Sequence, residues 1–176
     1  SVFTYTGGDD ADAVTISNSY VGGGADNYVG SDGVVAFNMG NGTNSLTVST
    51  GEPTYFSLYD GTVTYTGGTG SDTIDLSAKA RVYGGSIFDF GADAAADSLS
   101  SGTLNSGVII RNFDPDLDTI TVGVGNGFTP SNVNLTQSGG DTLVTFEMNT
   151  ATYDFTLEGV SLTANAFKVS GDFLIL

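Results

Sequence analysis

Apolar residues alternate with Thr, Ser and Asn in short runs along the chain, and glycine-rich turns separate the runs. Residues 34–37, 45–48 and 62–65 show this in the first part, and Tyr55, Phe56 and Tyr59 add aromatics between them. Alternation at period two, with β-branched and aromatic residues, predicts half-buried strands. Further strand-like runs occupy 107–115 and 118–122. Within 134–146, Gly139-Gly140-Asp141 separates two alternating runs and predicts a hairpin. Residues 155–160 read as one more strand, and 163–167 as a short helical turn.

The turns share a frame. Gly67-Gly68-Thr69-Gly70-Ser71-Asp72-Thr73-Ile74-Asp75 fits G-G-x-G-x-D-x-U-x, with U a large apolar residue, at every fixed position. This is the unit of a calcium-binding parallel β-helix. Its glycines turn the backbone tightly, its Asp supplies a charged oxygen, and its apolar residue points into a stacked core. Looser copies surround it. Gly7-Gly8-Asp9-Asp10-Ala11-Asp12-Ala13-Val14 has Asp10 in place of the third glycine. Gly22-Gly23-Gly24-Ala25-Asp26-Asn27-Tyr28 has Val21 in place of the first. Gly40-Asn41-Gly42-Thr43-Asn44-Ser45-Leu46 has Asn44 in place of the Asp. Tyr83-Gly84-Gly85-Ser86 opens another turn and then departs, and 92–99 recover only the ending Asp97-Ser98-Leu99. The anchors Val14, Tyr28, Leu46, Ile74 and Leu99 are unevenly spaced, whereas an ideal roll repeats about every nine residues. Larger and less regular coils are expected.

On these residues the chain resembles the RTX (repeats-in-toxin) family of calcium-binding β-roll proteins. The order Asn112-Phe113-Asp114-Pro115, Asp118-Thr119-Ile120, Ser138-Gly139-Gly140-Asp141-Thr142 and Leu157-Glu158-Gly159-Val160 is similar to that family's C-terminal capping region. The expected fold is all-β: an irregular parallel β-solenoid or β-roll over 1–106, closed by a β-rich cap over 107–176. A cap also suits the physics, because an open final coil leaves unpaired strand edges. The ending Gly171-Asp172-Phe173-Leu174-Ile175-Leu176 is similar to an uncleaved type I secretion signal, and it also reads as a last strand closing the cap. The start, Ser1-Val2-Phe3-Thr4-Tyr5, lacks the basic and apolar regions of a secretory leader. It reads as a true start after Met removal, or as the edge of a lost upstream domain.

Composition narrows the function. The chain carries 20 acidic and 4 basic residues, for a net charge of −16. Most of the acids are Asp; Glu52, Glu147 and Glu158 are the only Glu. Short Asp suits turns and tight oxygen cages for hard cations. A solvated acidic surface is the plainer explanation. With only Lys79, Arg81, Arg111 and Lys168 as cations, nucleic-acid binding and attraction to anionic membranes are disfavoured. No apolar run approaches a membrane span. With no His and no Cys, Ser-His-Asp catalysis, thiol chemistry and most zinc sites are excluded. Nothing separates an acid from a base among the carboxylates, so the chain is not expected to be an enzyme.

The candidate ligands are oxygens for calcium, which takes six to eight of them. One glycine turn offers too few, so two stacked turns must enclose an ion. The resemblance implies a half-site from the carbonyls of Gly68 and Gly70 with the Asp72 carboxylate. It implies analogous halves from Gly8 with Asp12, and from Gly23 or Gly24 with Asp26. Asp9 and Asp10 add oxygens where glycines are missing, and Asp89, Asp93 and Asp97 form a second acidic cluster. The plainer reading of each Asp is an Asx-turn that satisfies its own backbone. Asp114-Pro115-Asp116-Leu117-Asp118 has an EF-hand look but has Thr119 where the loop needs Gly and no Glu to close it, so it reads as a turn, with a minor cation site as the alternative.

The expected function is a secreted, calcium-binding structural protein of a bacterial surface. Such a chain is a self-assembling subunit of a filament, surface layer or biofilm matrix, exported by type I machinery. Self-repulsion keeps the metal-free chain expanded, and calcium outside the cell drives folding. The alternatives are a calcium-dependent adhesin contacting a cell-surface glycan, and the C-terminal domain of a larger secreted enzyme.

Overall fold

The computed structural model describes residues 2–17, 34–49, 61–76, 81–123, 129–163, 165–170 and 173–176. These are all-β: strands, turns and loops, with no helix among the described residues. The candidates Gly23, Gly24 and Asp26, and the anchor Tyr28, lie outside the described residues, as do 54–60.

The strands alternate between two sheets. β1 (Val2–Thr6), β3 (Val34–Gly40), β5 (Thr62–Gly67), β8 (Ile87–Asp89) and β11 (Val108–Arg111) lie side by side in the first sheet, all parallel. The second sheet holds β2 (Ala13–Ser17), β4 (Ser45–Ser49), β6 (Thr73–Leu76), β9 (Ser98–Ser101) and β12 (Thr119–Val122), again all parallel. The two-residue strands β7 (Arg81–Val82) and β10 (Thr103–Leu104) pair with each other where the chain returns from the second sheet to the first. Parallel pairing forces a crossover between neighbours; here each crossover passes through the other sheet.

Pairing turns antiparallel after Val122, beyond the boundary at 106 suggested by the sequence. β13 (Ser131–Ser138), β14 (Asp141–Met148) and β15 (Ala151–Glu158) form a meander whose last strand joins β11. β16 (Lys168–Ser170) and β17 (Phe173–Ile175) extend the second sheet next to β12. The hairpin at Gly139-Gly140 is as the sequence indicates, with both glycines at positive φ. Where the sequence suggests a short helical turn at 163–167, Ala166 N–H donates to the Thr163 carbonyl at 3.0 Å.

Inward side chains stack in columns. Phe37, Tyr65, Phe88, Ile110 and Leu157 share one register in the first sheet. Val14, Leu46, Ile74, Leu99 and Ile120 share one in the second. The buried members form one core cluster, and each large side chain taken from water contributes about 1.5–3 kcal/mol. The anchors seen in the sequence are therefore neighbours across strands, with partners 21 to 32 residues apart along the chain.

Candidate functional site

The residue just before each of the five parallel strands of the second sheet is an Asp or Asn: Asp12, Asn44, Asp72, Asp97 and Asp118. They stand in one row. Asp12 N–H donates to Asn44 Oδ1 at 3.0 Å, and Asn44 N–H to Asp72 Oδ1 at 3.2 Å. Asp72 N–H donates to Asp97 Oδ1 at 2.6 Å, and Asp97 N–H to Asp118 Oδ1 at 2.8 Å. Each main-chain carbonyl of the row accepts from the first residue of the next strand: Ser45, Thr73, Ser98 and Thr119 donate to Asp12, Asn44, Asp72 and Asp97. A side chain thus satisfies the one amide that the ladder leaves open where the chain leaves its glycine turn.

Asn44, Asp72, Asp97 and Asp118 are buried. Burial disfavours a charged carboxylate unless hydrogen bonds offset the lost hydration. Desolvation dominates at Asp97 and pushes its carboxyl up to about 7, with the Asp118 and Asp72 charges adding to the rise against the Asp72 amide. Asp72 and Asp118 are also raised, first by burial. Stacked strands sit about 4.8 Å apart, so adjacent charges in the row repel by roughly 3 kcal/mol at an effective dielectric near 20.

A second column faces the first rungs. Tyr5, Phe37 and Tyr65 share a register, and each stands seven residues before its rung. Tyr5 hydroxyl donates to Asp12 Oδ1 at 3.0 Å, which raises the tyrosine's own pKa. Tyr65, its pKa raised first by burial and then by Asp72, is a neutral phenol beside the Asp72 carboxylate and offsets part of that carboxylate's own rise. Phe37 faces Asn44, whose own Nδ2 donates to the Gly40 carbonyl at 3.1 Å. The rung with its own donor is matched by a ring without one.

The glycine turns stack backbone on backbone. A Cβ on Gly40 would meet the Gly8 carbonyl oxygen at 2.0 Å, and one on Gly68 the Gly40 carbonyl at 2.3 Å. One on Gly91, at φ +93°, would meet the Gly68 carbonyl at 2.0 Å. At the loop tips, Asn41 Nδ2 donates to Asp9 Oδ1 at 3.0 Å, and Thr69 N–H donates to Asn41 Oδ1 at 3.2 Å.

The candidates therefore divide. Asp12, Asp72 and Asp97 enter the row, and Asp9 caps a tip contact. Asp10 is exposed. Gly8 N–H donates to Asp12 Oδ2 at 2.9 Å. The Gly68 carbonyl abuts Gly91, and Gly70 N–H donates to Asp93 Oδ2 at 2.6 Å. Asp93 Oδ1 accepts from Ala95 N–H at 2.7 Å, as in an Asx-turn. Asp89 Oδ1 accepts from Gly91 N–H and from Asn112 Nδ2. Asp89 and Asp93 thus each serve one local amide and one donor 23 residues away, while Asp97 turns into the row. Asp118 belongs to the row and was hidden by the Asp-Pro-Asp turn. The sequence clue to it is Asp118-Thr119-Ile120, which copies Asp72-Thr73-Ile74.

The fit to calcium is local. Among the described residues no three acidic side chains converge as a metal-holding group, and N–H donors take up most carboxylate oxygens of the loops. Asp72 Oδ2 is buried without a hydrogen-bond partner, as is the Tyr65 hydroxyl beside it. Asp72 Oδ2 and the Phe90 carbonyl oxygen crowd the same face of Gly67, where a Cβ would lie 2.2 and 2.7 Å from them. Both are hard oxygens of the kind calcium takes, two of the six to eight it needs.

No family model matches this chain, and neither the curated proteins nor the solved structures compared with it give a match.

Proposed function

We propose that the chain is an extracellular structural protein, an RTX-like β-roll compacted by calcium. In this reading the alternating parallel strands are successive windings of a solenoid, and 123–176 close its end. The observation that carries it is the row Asp12–Asn44–Asp72–Asp97–Asp118, buried from Asn44 onward, which spans the described parallel strands of the second sheet. Such a row has a structural purpose: it fixes loop against loop. Three of its acids, Asp72, Asp97 and Asp118, are adjacent, and their mutual repulsion opposes compaction at neutral pH. Calcium, when bound, supplies positive charge beside them. Asp72 Oδ2 and the Phe90 carbonyl are the groups that would hold it.

The test is circular dichroism and small-angle scattering of the chain in chelator and in millimolar calcium at matched ionic strength. Calcium is expected to shrink the particle and raise the β signal, with a weaker response for Asp72→Asn. An unchanged, compact chain in chelator ends the calcium part of this reading.

A further inference from the structure

The two ends of the sheets differ in how they stop. Phe3 shares a register with Val35 and Val63. Those two are 7% and 1% exposed, but Phe3 is 52% exposed and Val2 75%. An inward core position is thus left open at the first winding, with β1 and β2 as the outer strands among the described residues. At the other end the outer strands are β13 and β16. Val169 on β16 is 38% exposed, and β13 is exposed along most of its length.

Strand direction relates these ends. β14 runs antiparallel to both β13 and β15, and β15 runs parallel to β11, so β13 runs with β1. β17 runs antiparallel to both β12 and β16, so β16 runs with β2. Both sheets therefore end on strands with the same sense as the strands at their opposite edge. Charge points the same way. Proteins protect exposed edges with charged residues, and this chain has 20 acids to use. Yet β1, β2, β13 and β16 contain no Asp or Glu, and Lys168 is their only charge.

We infer that copies of this chain stack head to tail, with β13 and β16 of one copy set against β1 and β2 of the next in parallel register. This contact rests on the structural reading above and names its partner, a second copy. It covers Phe3 and Val2 with the next molecule and removes both pairs of free edges at once. Because the joining surfaces are different patches, the contact is heterologous and continues into a filament. With eight strands in the longer sheet, each copy adds roughly 38 Å at the usual strand spacing.

Two variants of the full chain test it in millimolar calcium, by analytical ultracentrifugation and negative-stain microscopy. Phe3→Asp places a charge on the head, and Thr136→Asp with Val169→Asp places charges on the tail. All three sites are exposed, so an unchanged circular dichroism spectrum is the check that each variant folds. The wild type is expected to form linear polymers. Each variant alone is expected to lose them and sediment as a monomer, and an equal mixture to give a one-to-one dimer and nothing longer. A wild type that is monomeric at every concentration overturns the stacking, as it would if another segment or partner covered β1. A tail variant that still dimerises alone overturns the head-to-tail polarity. Neither result touches the calcium-dependent compaction, which is read separately on the monomer.

Discussion

Asp97 occupies the least favourable position in the row, buried between Asp72 and Asp118. Its carboxyl titrates near 7 against an ordinary value of 3.8. A raised carboxyl stabilises the fold when protonated, and that contribution is lost as pH climbs through the folded value. Each unit of difference is worth about 1.4 kcal/mol. In chelator, urea midpoints are expected to fall between pH 5 and pH 8, and Asp72 and Asp118, raised in the same direction, add to the fall. Asp97→Asn keeps an oxygen for the Asp72 amide and removes the charge, as Asn44 does two steps earlier in the row. It is expected to raise the midpoint at pH 8 and flatten the pH dependence. A wild type more stable at pH 8 than at pH 5 contradicts this.

Loops and strands show what the sequence could and could not convey. Alternation marked the strands, and the Asp-x-apolar ending marked Val14, Leu46, Ile74 and Leu99, which do share one register. Pairing partners were illegible, because a nine-residue repeat suggests neighbours close in sequence. The real partners lie up to 32 residues away, since the chain passes through the other sheet between neighbouring parallel strands. The direction of the Asp side chains was equally hidden. The same short carboxylate serves an ion or an amide, and only the next winding, with its N–H in reach, decides. The close stacking of loops gives a sharp expectation for glycine. Gly91→Ala meets both a positive φ and the Gly68 carbonyl, and is expected to cost about 2–4 kcal/mol. Gly139→Ala, at φ +66° with open space around its Cβ, is expected to cost about 1–2 kcal/mol from the backbone alone. Equal costs in urea denaturation would mean that the loops are not in contact.

For the whole molecule, the row links each described parallel strand of the second sheet to the next, from Asp12 before β2 to Asp118 before β12. At that last rung the Asp118 amide turns to the Asp114 carbonyl at 2.7 Å, so the row stops where the cap begins. Across the join, Arg111 and Glu158 pair at 3.1 Å on neighbouring strands. Everything proposed for calcium and for stacking between copies presumes that these strands are held in this register. Amide hydrogen exchange followed residue by residue tests that most directly. The N–H groups of Asn44, Asp72 and Asp97 lie in loops, where amides usually exchange fast, but here each is bound to the next buried side chain. They are expected to exchange as slowly as the strand amides of Ile74 and Leu99. Exchange as fast as at the hairpin turn, Gly139 and Gly140, would contradict the row.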